Sequence, residues 1–172
     1  HFNEVIFDDV EVPAERLIGA CGDGWKQVTS ELAYERSGPE RFLSTMPLLN
    51  RYAHLVLHGA PGAGDVAAGK LLARLMTLRN MSQGVWGALR AGQSPGIEAA
   101  MVKDLGTNLE RESIDMVREG SVADARLAGD TGLQDLLQAT LLLAPTYNLR
   151  GGTNEVLRNM IAKHLQGRSQ GT

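Results

Sequence analysis

The 172-residue chain has a single cysteine, Cys21, which excludes an internal disulfide and a cysteine-based metal cluster and fits a reducing cytoplasm. It has little charge of either sign in excess. Its 17 basic and 20 acidic side chains leave a net charge of -3 and are dispersed along the chain, which argues against a polyanion-binding surface and hence against a nucleic-acid partner. It lacks an uninterrupted apolar run of membrane-spanning length and shows no secretory signal, so no membrane role is expected. Four histidines form no metal-binding constellation: His54 and His58 stand at i,i+4 spacing but have no carboxylate ligand nearby. Repeats, heptad arrays and low-complexity tracts are absent. The sequence opens on His1 rather than methionine, inside a strand-like stretch, and therefore reads as a fragment of a longer protein.

What is present suffices for one core, since 43% of the residues are hydrophobic. Residues 2–12 mix alternation with β-branched side chains and are closed by Pro13, which predicts a strand. A lone strand is not stable in water, so this one must pair with a sheet outside the chain or lie against the helices. From Trp25 the period becomes helical, predicting a helix over about 24–58 that bends at Pro39 and Pro47, with Trp25, Val28, Leu32 and Tyr34 among its apolar positions. Asp65 is a reasonable cap for a second helix reaching about Ala91, whose apolar face is widened by Leu72, Met76 and Trp86. A third is expected over about 97–119, with Met101, Leu105, Leu109 and Val117 inward, Lys103, Asp104, Glu110, Arg111 and Arg118 solvated, and Gly120 as its stop. A short helix over 133–143, broken by Pro145, and a last one over 150–165 complete the set. The fold class is all-α: an antiparallel four-helix bundle with a short N-terminal β-strand. Residues 1–14 then form the end of a preceding β-domain and its linker, 15–166 the helical bundle, and 167–172 a disordered tail.

The last helical stretch, Arg150 to Leu165, carries the most chemistry. Gly151 and Gly152 let the backbone bend and approach a ligand, Thr153 can cap the helix that follows, and Val156, Leu157, Met160, Ile161 and Leu165 recur at helical spacing. A flexible turn feeding a helix N-terminus presents N–H groups suited to a polarised carbonyl, a phosphate or a flavin edge.

Gly-Gly-Thr-Asn-Glu followed by Val-Leu-Arg-Asn-Met-Ile-Ala-Lys resembles the C-terminal signature of the acyl-CoA dehydrogenase family. Val10-Glu-Val-Pro-Ala-Glu-Arg-Leu-Ile-Gly19 and the Gly-Asp-Gly-Trp loop resemble the same family's passage from its central β-domain into the helical domain. The resemblance implies oxidation of an acyl-CoA thioester to the trans-2-enoyl-CoA, with FAD as cofactor and an electron-transferring flavoprotein as acceptor. A desolvated carboxylate is needed to remove the weakly acidic α-proton. Many members place that glutamate where this chain has Gly151. The isovaleryl and long-chain branch places it on the first helix of the domain in a Glu-Arg pair, matched here by Glu35-Arg36. Glu35 is the candidate base, with a solvated helix glutamate near Arg36 and Arg41 as its plainer reading. Glu31, one turn earlier, is a like charge that is mildly unfavourable on an exposed face and so favours a special role for one of the two. By position, Arg36 and the Gly151 N–H would hold the substrate, the latter polarising its thioester carbonyl, and Thr153 and Glu155 would face the flavin. The absent side chain at Gly151 implies room for a branched or bulky acyl group.

Two departures accompany the resemblance. Leu57–Asp65 stands in place of an Arg-x-x-Phe-Gly motif, and Val117–Asp124 in place of Gln-x-x-Gly-Gly. Both motifs serve a neighbouring subunit's flavin. A homo- or hetero-oligomer is therefore expected, in the latter case with a paralogous subunit supplying the missing FAD contacts, and the isolated 172 residues are expected to be inactive. A non-catalytic assembly subunit of the same fold and an unrelated helical interaction module are the alternatives.

Overall fold

The computed structural model describes residues 3–59 and 63–169, and within them the chain is all-helical. The seven α-helices among the described residues are α1 (Gly24–Ser37), α2 (Met46–Leu57), α3 (Ala63–Arg90), α4 (Gly96–Ala123), α5 (Ala125–Gly129), α6 (Thr131–Tyr147) and α7 (Asn154–Ser169).

No strand is present among the described residues, so the strand expected over 2–12 is a correction for 3–12, while Phe2 lies outside them. Val5, Ile6, Phe7, Val10 and Val12 are all exposed, lying neither in a ladder nor against the helices. The physical reason is that these residues offer one extended segment and no second one to pair with it. After the 3₁₀ turn Ala14–Arg16, the Gln27 amide donates to the Ile18 carbonyl at 2.9 Å and tethers this segment to α1.

The bent helix expected over 24–58 is two helices. Gly38 is extended (φ -63°, ψ 153°) because proline disfavours helical geometry in the residue before it, so α1 stops at Ser37. A 3₁₀ turn, Pro39–Arg41, follows, and α2 restarts with Pro47 in its first turn, where a missing N–H costs nothing. Trp25, Val28 and Tyr34 are exposed rather than inward, since α1 is buried only near its C-terminal end, at Ala33, Arg36 and Ser37.

α3 starts two residues before the Asp65 expected to cap it. It buries Leu78 and Val85, while Leu72, Met76 and Trp86 face outward, so the widened stripe is not covered. α4 packs against α1, α3, α5, α6 and α7 and separates two cores. One core joins Leu48, Tyr52 and Val56 of α2 to Ile114 and Val117 of α4, Leu127 of α5 and Leu133 of α6. The other joins Ala33, Phe42, Leu78 and Val85 to Ala99, Val102 and Leu109.

With neighbours on several sides, α4 keeps one solvated stripe, on which Arg111, Glu112, Asp115 and Arg118 are exposed, and the rest of it is covered. Lys103, Asp104 and Glu110 are buried, against the expectation, and Met101 and Leu105 are exposed instead. Gly120 does not stop the helix, which runs on to Ala123; a Cβ there would come within 3.1 Å of the Tyr52 ring, so the glycine admits α2. Gly106 admits the loop before α2 in the same way, its would-be Cβ lying 2.5 Å from the Arg41 carbonyl oxygen.

Side-chain caps delimit the next two helices: Asp124 accepts from the Arg126 N–H and Asp130 from the Leu133 N–H, both at 2.8 Å. Pro145 lies inside α6, which ends only at Tyr147. α7 begins at Asn154 and continues through Ser169, so residues 167–169 are helical rather than a disordered tail, and 170–172 lie outside the described residues. Leu157 is its fully buried anchor; Val156 and Leu165 are exposed.

Candidate functional site

The C-terminal end of α1, the 3₁₀ turn after it, the middle of α4 and the turn between α6 and α7 converge on Gly151. That turn is left-handed twice over, with φ of +64° at Gly151 and +97° at Gly152, a conformation that side chains resist and glycine adopts freely. Residues 148–153 therefore leave α6 sharply and re-enter helix at Asn154. Thr153 sits where the cap belongs, but its hydroxyl is 3.5 Å from the Val156 N–H, a weak bond.

Glu35 and Arg36 reach this turn from α1. The buried Arg36 donates through Nε to the Gly151 carbonyl at 2.9 Å. Burial pushes its guanidinium below its ordinary value, with the Glu35 charge acting in the opposite sense. The Glu35 carboxylate points to the same place. A Cβ on Gly151 would stand 3.7 Å from Glu35 Oε1, 3.5 Å from Arg36 Cγ and 3.8 Å from Arg41 Cζ.

Arg41 is a member of the site that helical periodicity did not single out. Its Nη2 donates to Glu35 Oε1 at 2.6 Å and its Nε to the Glu35 backbone carbonyl at 2.8 Å, so one guanidinium grips both ends of that residue. The Arg41 side chain is 8% exposed and that of Glu35 43%, which leaves the carboxylate open to a ligand on one side.

Beneath the turn lies a buried polar row on α4. Lys103 Nζ donates to the Asn148 carbonyl at 3.1 Å and to Asn154 Oδ1 at 2.7 Å. Thr107 donates to the Tyr147 carbonyl at 3.4 Å. Glu110 accepts from the Ser44 N–H at 2.9 Å and from Arg150 Nη2 at 2.8 Å, and Arg150 lies over the Tyr147 ring at 4.8 Å. Lys103, Thr107 and Glu110 follow the helical period, so one face was legible in the sequence. That the face is covered was not, because a solvated stripe has the same spacing.

Glu35, Arg36 and Gly151 thus meet, with Thr153 two residues further on. Glu155 stands apart on an exposed part of the first turn of α7; its own backbone N–H and then the Thr153 hydroxyl hold its carboxyl below the usual range. The described residues contain no group of three or more metal-ligating side chains, and no helix among them is long and apolar enough to cross a membrane. His54 and His58 stack with ring centroids 4.4 Å apart, and His58 Nδ1 lies 2.8 Å from the His54 carbonyl oxygen.

The geometry offers a carboxylate, a flanking guanidinium and a tight backbone turn around one point, a set suited to removing a proton beside a polarised carbonyl. Comparison with known proteins places the chain in a family. Residues 63–166 match the family described as acyl-CoA dehydrogenase, C-terminal domain. Acyl-CoA dehydrogenase IpdE1 of Mycolicibacterium smegmatis is 31% identical over 175 residues, covering 96% of this chain and 42% of that protein. Acyl-CoA dehydrogenase FadE34 of Mycobacterium tuberculosis is 28% identical over 170 residues (96% and 23%), and FadE29 of the same organism 29% identical over 180 residues (94% and 44%). The chain spans less than half the length of each of these relatives.

Proposed function

The chain belongs to the acyl-CoA dehydrogenase family, as its C-terminal helical domain, and on that premise we propose that it supplies the proton-abstracting base of an enzyme converting an acyl-CoA thioester to the trans-2-enoyl-CoA. One observation carries the proposal. The Glu35 carboxylate oxygen lies 3.7 Å from the point where a side chain at Gly151 would begin, so a base delivered from α1 serves the space that a base at the turn would serve.

In this reading Glu35 takes the α-proton, the Gly151 N–H polarises the thioester carbonyl, and Arg36 holds the turn while contributing to substrate binding. A base at neutral pH must be shielded from water, and the bound acyl group would cover the open side of Glu35. With no side chain at Gly151, a branched or bulky acyl group has room. The residues present fit the edge of a flavin rather than its whole surface: a half-buried Thr153 hydroxyl and an exposed Glu155 at the N-terminus of α7. FAD, when bound, supplies the acceptor for the β-hydride, and an electron-transferring flavoprotein is the proposed onward acceptor. The remaining FAD contacts would come from the rest of the protein and from a like or paralogous subunit, which supports inactivity of these 172 residues alone. A cytoplasmic location fits the lone, exposed Cys21.

A second reading is favoured by the Glu35–Arg41 ion pair, since a carboxylate held at 2.6 Å by a guanidinium is also what a structural glutamate looks like. In that case the chain is a non-catalytic assembly subunit of a hetero-oligomeric dehydrogenase. Family membership removes the unrelated helical module from consideration. The deciding experiment is acyl-CoA oxidation by the intact protein with an artificial electron acceptor, alone and with a co-expressed paralogue, for wild type and Glu35→Gln. Loss of activity with FAD retained supports the base. An unchanged rate in Glu35→Gln rules it out.

A further inference from the structure

Lys103 is among the largest fully buried side chains in the protein, and its ammonium has been given no task by the chemistry above. We propose that Lys103 is a positioning residue for the Gly151–Gly152 turn: from inside the domain it ties the start of the turn at Asn148 to its end at Asn154, and so sets where the turn's backbone meets an acyl thioester. The inference rests on the reading of that turn as the thioester's binding point.

An ammonium removed from water loses hydration that its new contacts must replace, and an apolar side chain of similar length would fill the same space without that loss. Stability alone is therefore a poor reason for a lysine at this place. Its geometry supplies a better one. Nζ donates to a backbone carbonyl on one side of the turn and a side-chain oxygen on the other, at 3.1 and 2.7 Å, and two of its three protons are thereby used. Asn154 is itself 3% exposed, and its N–H reaches back to Asn148 Oδ1 at 3.4 Å, so the two asparagines close on the lysine from both ends.

The span between them contains the two glycines, whose backbone freedom would otherwise let the turn wander. Arg36 fixes the middle of the same span through the Gly151 carbonyl. Two cations on opposite sides, one on α4 and one on α1, thus hold a segment with little stiffness of its own. Desolvation lowers the Lys103 pKa to about 8, with Asp104 and Glu155 favouring the charged form and Arg41 and Arg150 opposing it. Charge-assisted bonds of this kind are shorter and stronger than neutral ones, which suits a clamp.

The test uses the intact protein carrying Lys103→Met, Asn154→Ala and the double change Lys103→Met/Asn154→Leu. Hydrogen exchange of the Leu149 and Asn154 amides, whose N–H groups are hydrogen-bonded at the two ends of the turn, should rise by about tenfold in the first two, while the amides inside α4 and α7 remain protected. With FAD content unchanged, the Lys103→Met kcat should fall by about 100-fold, the cost of a misplaced binding point. The double variant should regain thermal stability, because an apolar pair replaces the polar one, and should not regain kcat. Exchange within twofold of wild type in both single variants, or recovery of kcat together with stability in the double variant, overturns the inference. If Lys103→Met does not fold, Asn154→Ala carries the same readout. Exchange is read without reference to turnover, so activity persisting in Glu35→Gln, which removes the base, is a separate result from an unchanged turn, which removes the clamp.

Discussion

Arg36 Nε lies 2.9 Å from the carbonyl oxygen of Gly151, joining residues 115 apart in sequence. The contact couples the end of α1, which carries Glu35, to the turn before α7. Displacing either one displaces the other.

Gly152 is held at φ +97°, and a Cβ there would meet Arg36 Nη2 at 3.6 Å and Leu157 Cδ2 at 3.8 Å, ordinary contacts without a clash, so Gly152→Ala tests chiefly backbone strain. It should destabilise the protein by about 1–2 kcal/mol. Thermal unfolding of the intact protein would read this as a fall in Tm, and an unchanged Tm would mean that the turn relaxes to negative φ.

Arg41 holds both the carboxylate and the carbonyl of Glu35. Arg41→Met should lower kcat by roughly tenfold through a less ordered base, and Arg41→Lys should not restore it, because a point charge cannot reproduce a fork. Steady-state kinetics at constant FAD content would measure both. Full activity in Arg41→Met would show that the ion pair is irrelevant to turnover.

Glu110 is fully buried with Arg150 as its charged partner. Glu110→Leu alone should cost about 3–5 kcal/mol, since it leaves a partly buried guanidinium without its counter-charge. Adding Arg150→Met should recover most of that loss. A double-mutant cycle by chemical denaturation checks this, and simple additivity of the two losses would contradict it.

Two glycines of α4 differ in what their side-chain space meets. A methyl at Gly106 would press on the Arg41 backbone carbonyl at 2.5 Å, whereas one at Gly120 would touch the Tyr52 ring at 3.1 Å, and a ring can shift where a backbone cannot. Gly106→Ala should cost about 2–3 kcal/mol and Gly120→Ala clearly less. Equal losses would mean that the loop carrying Arg41 yields as easily as a side chain.

The pH dependence of stability should carry a Lys103 signature. Its pKa is about 8 when folded against an ordinary 10.5, so between those values the unfolded chain binds more protons and this group's contribution to stability rises with pH. The stability of wild type relative to Lys103→Met should therefore increase from about pH 8 toward pH 10 and level off below pH 8. A flat or falling difference over that window would show that Lys103 is not desolvated in solution.

Local chemistry was readable in the chain. The Gly-Gly-Thr turn and the helical period follow from steric freedom, residue type and spacing, which depend on neighbours in sequence, and the Glu35-Arg36 pair was picked out by its resemblance to a family motif. Even the break between α1 and α2 was written locally, in Gly38-Pro39, although its consequence, two helices instead of one bent helix, was not drawn from the spacing. What depends on distant neighbours was not readable. Lys103, Asp104 and Glu110 look solvated by pattern and are buried, because α1, α6, α7 and the loop before α2 all close on α4. The meeting of Glu35 with Gly151 is likewise a product of that closure. Periodicity says which residues share a face; only packing decides whether the face meets water, and only in packing does a carboxylate on α1 come to stand where a side chain at residue 151 would begin.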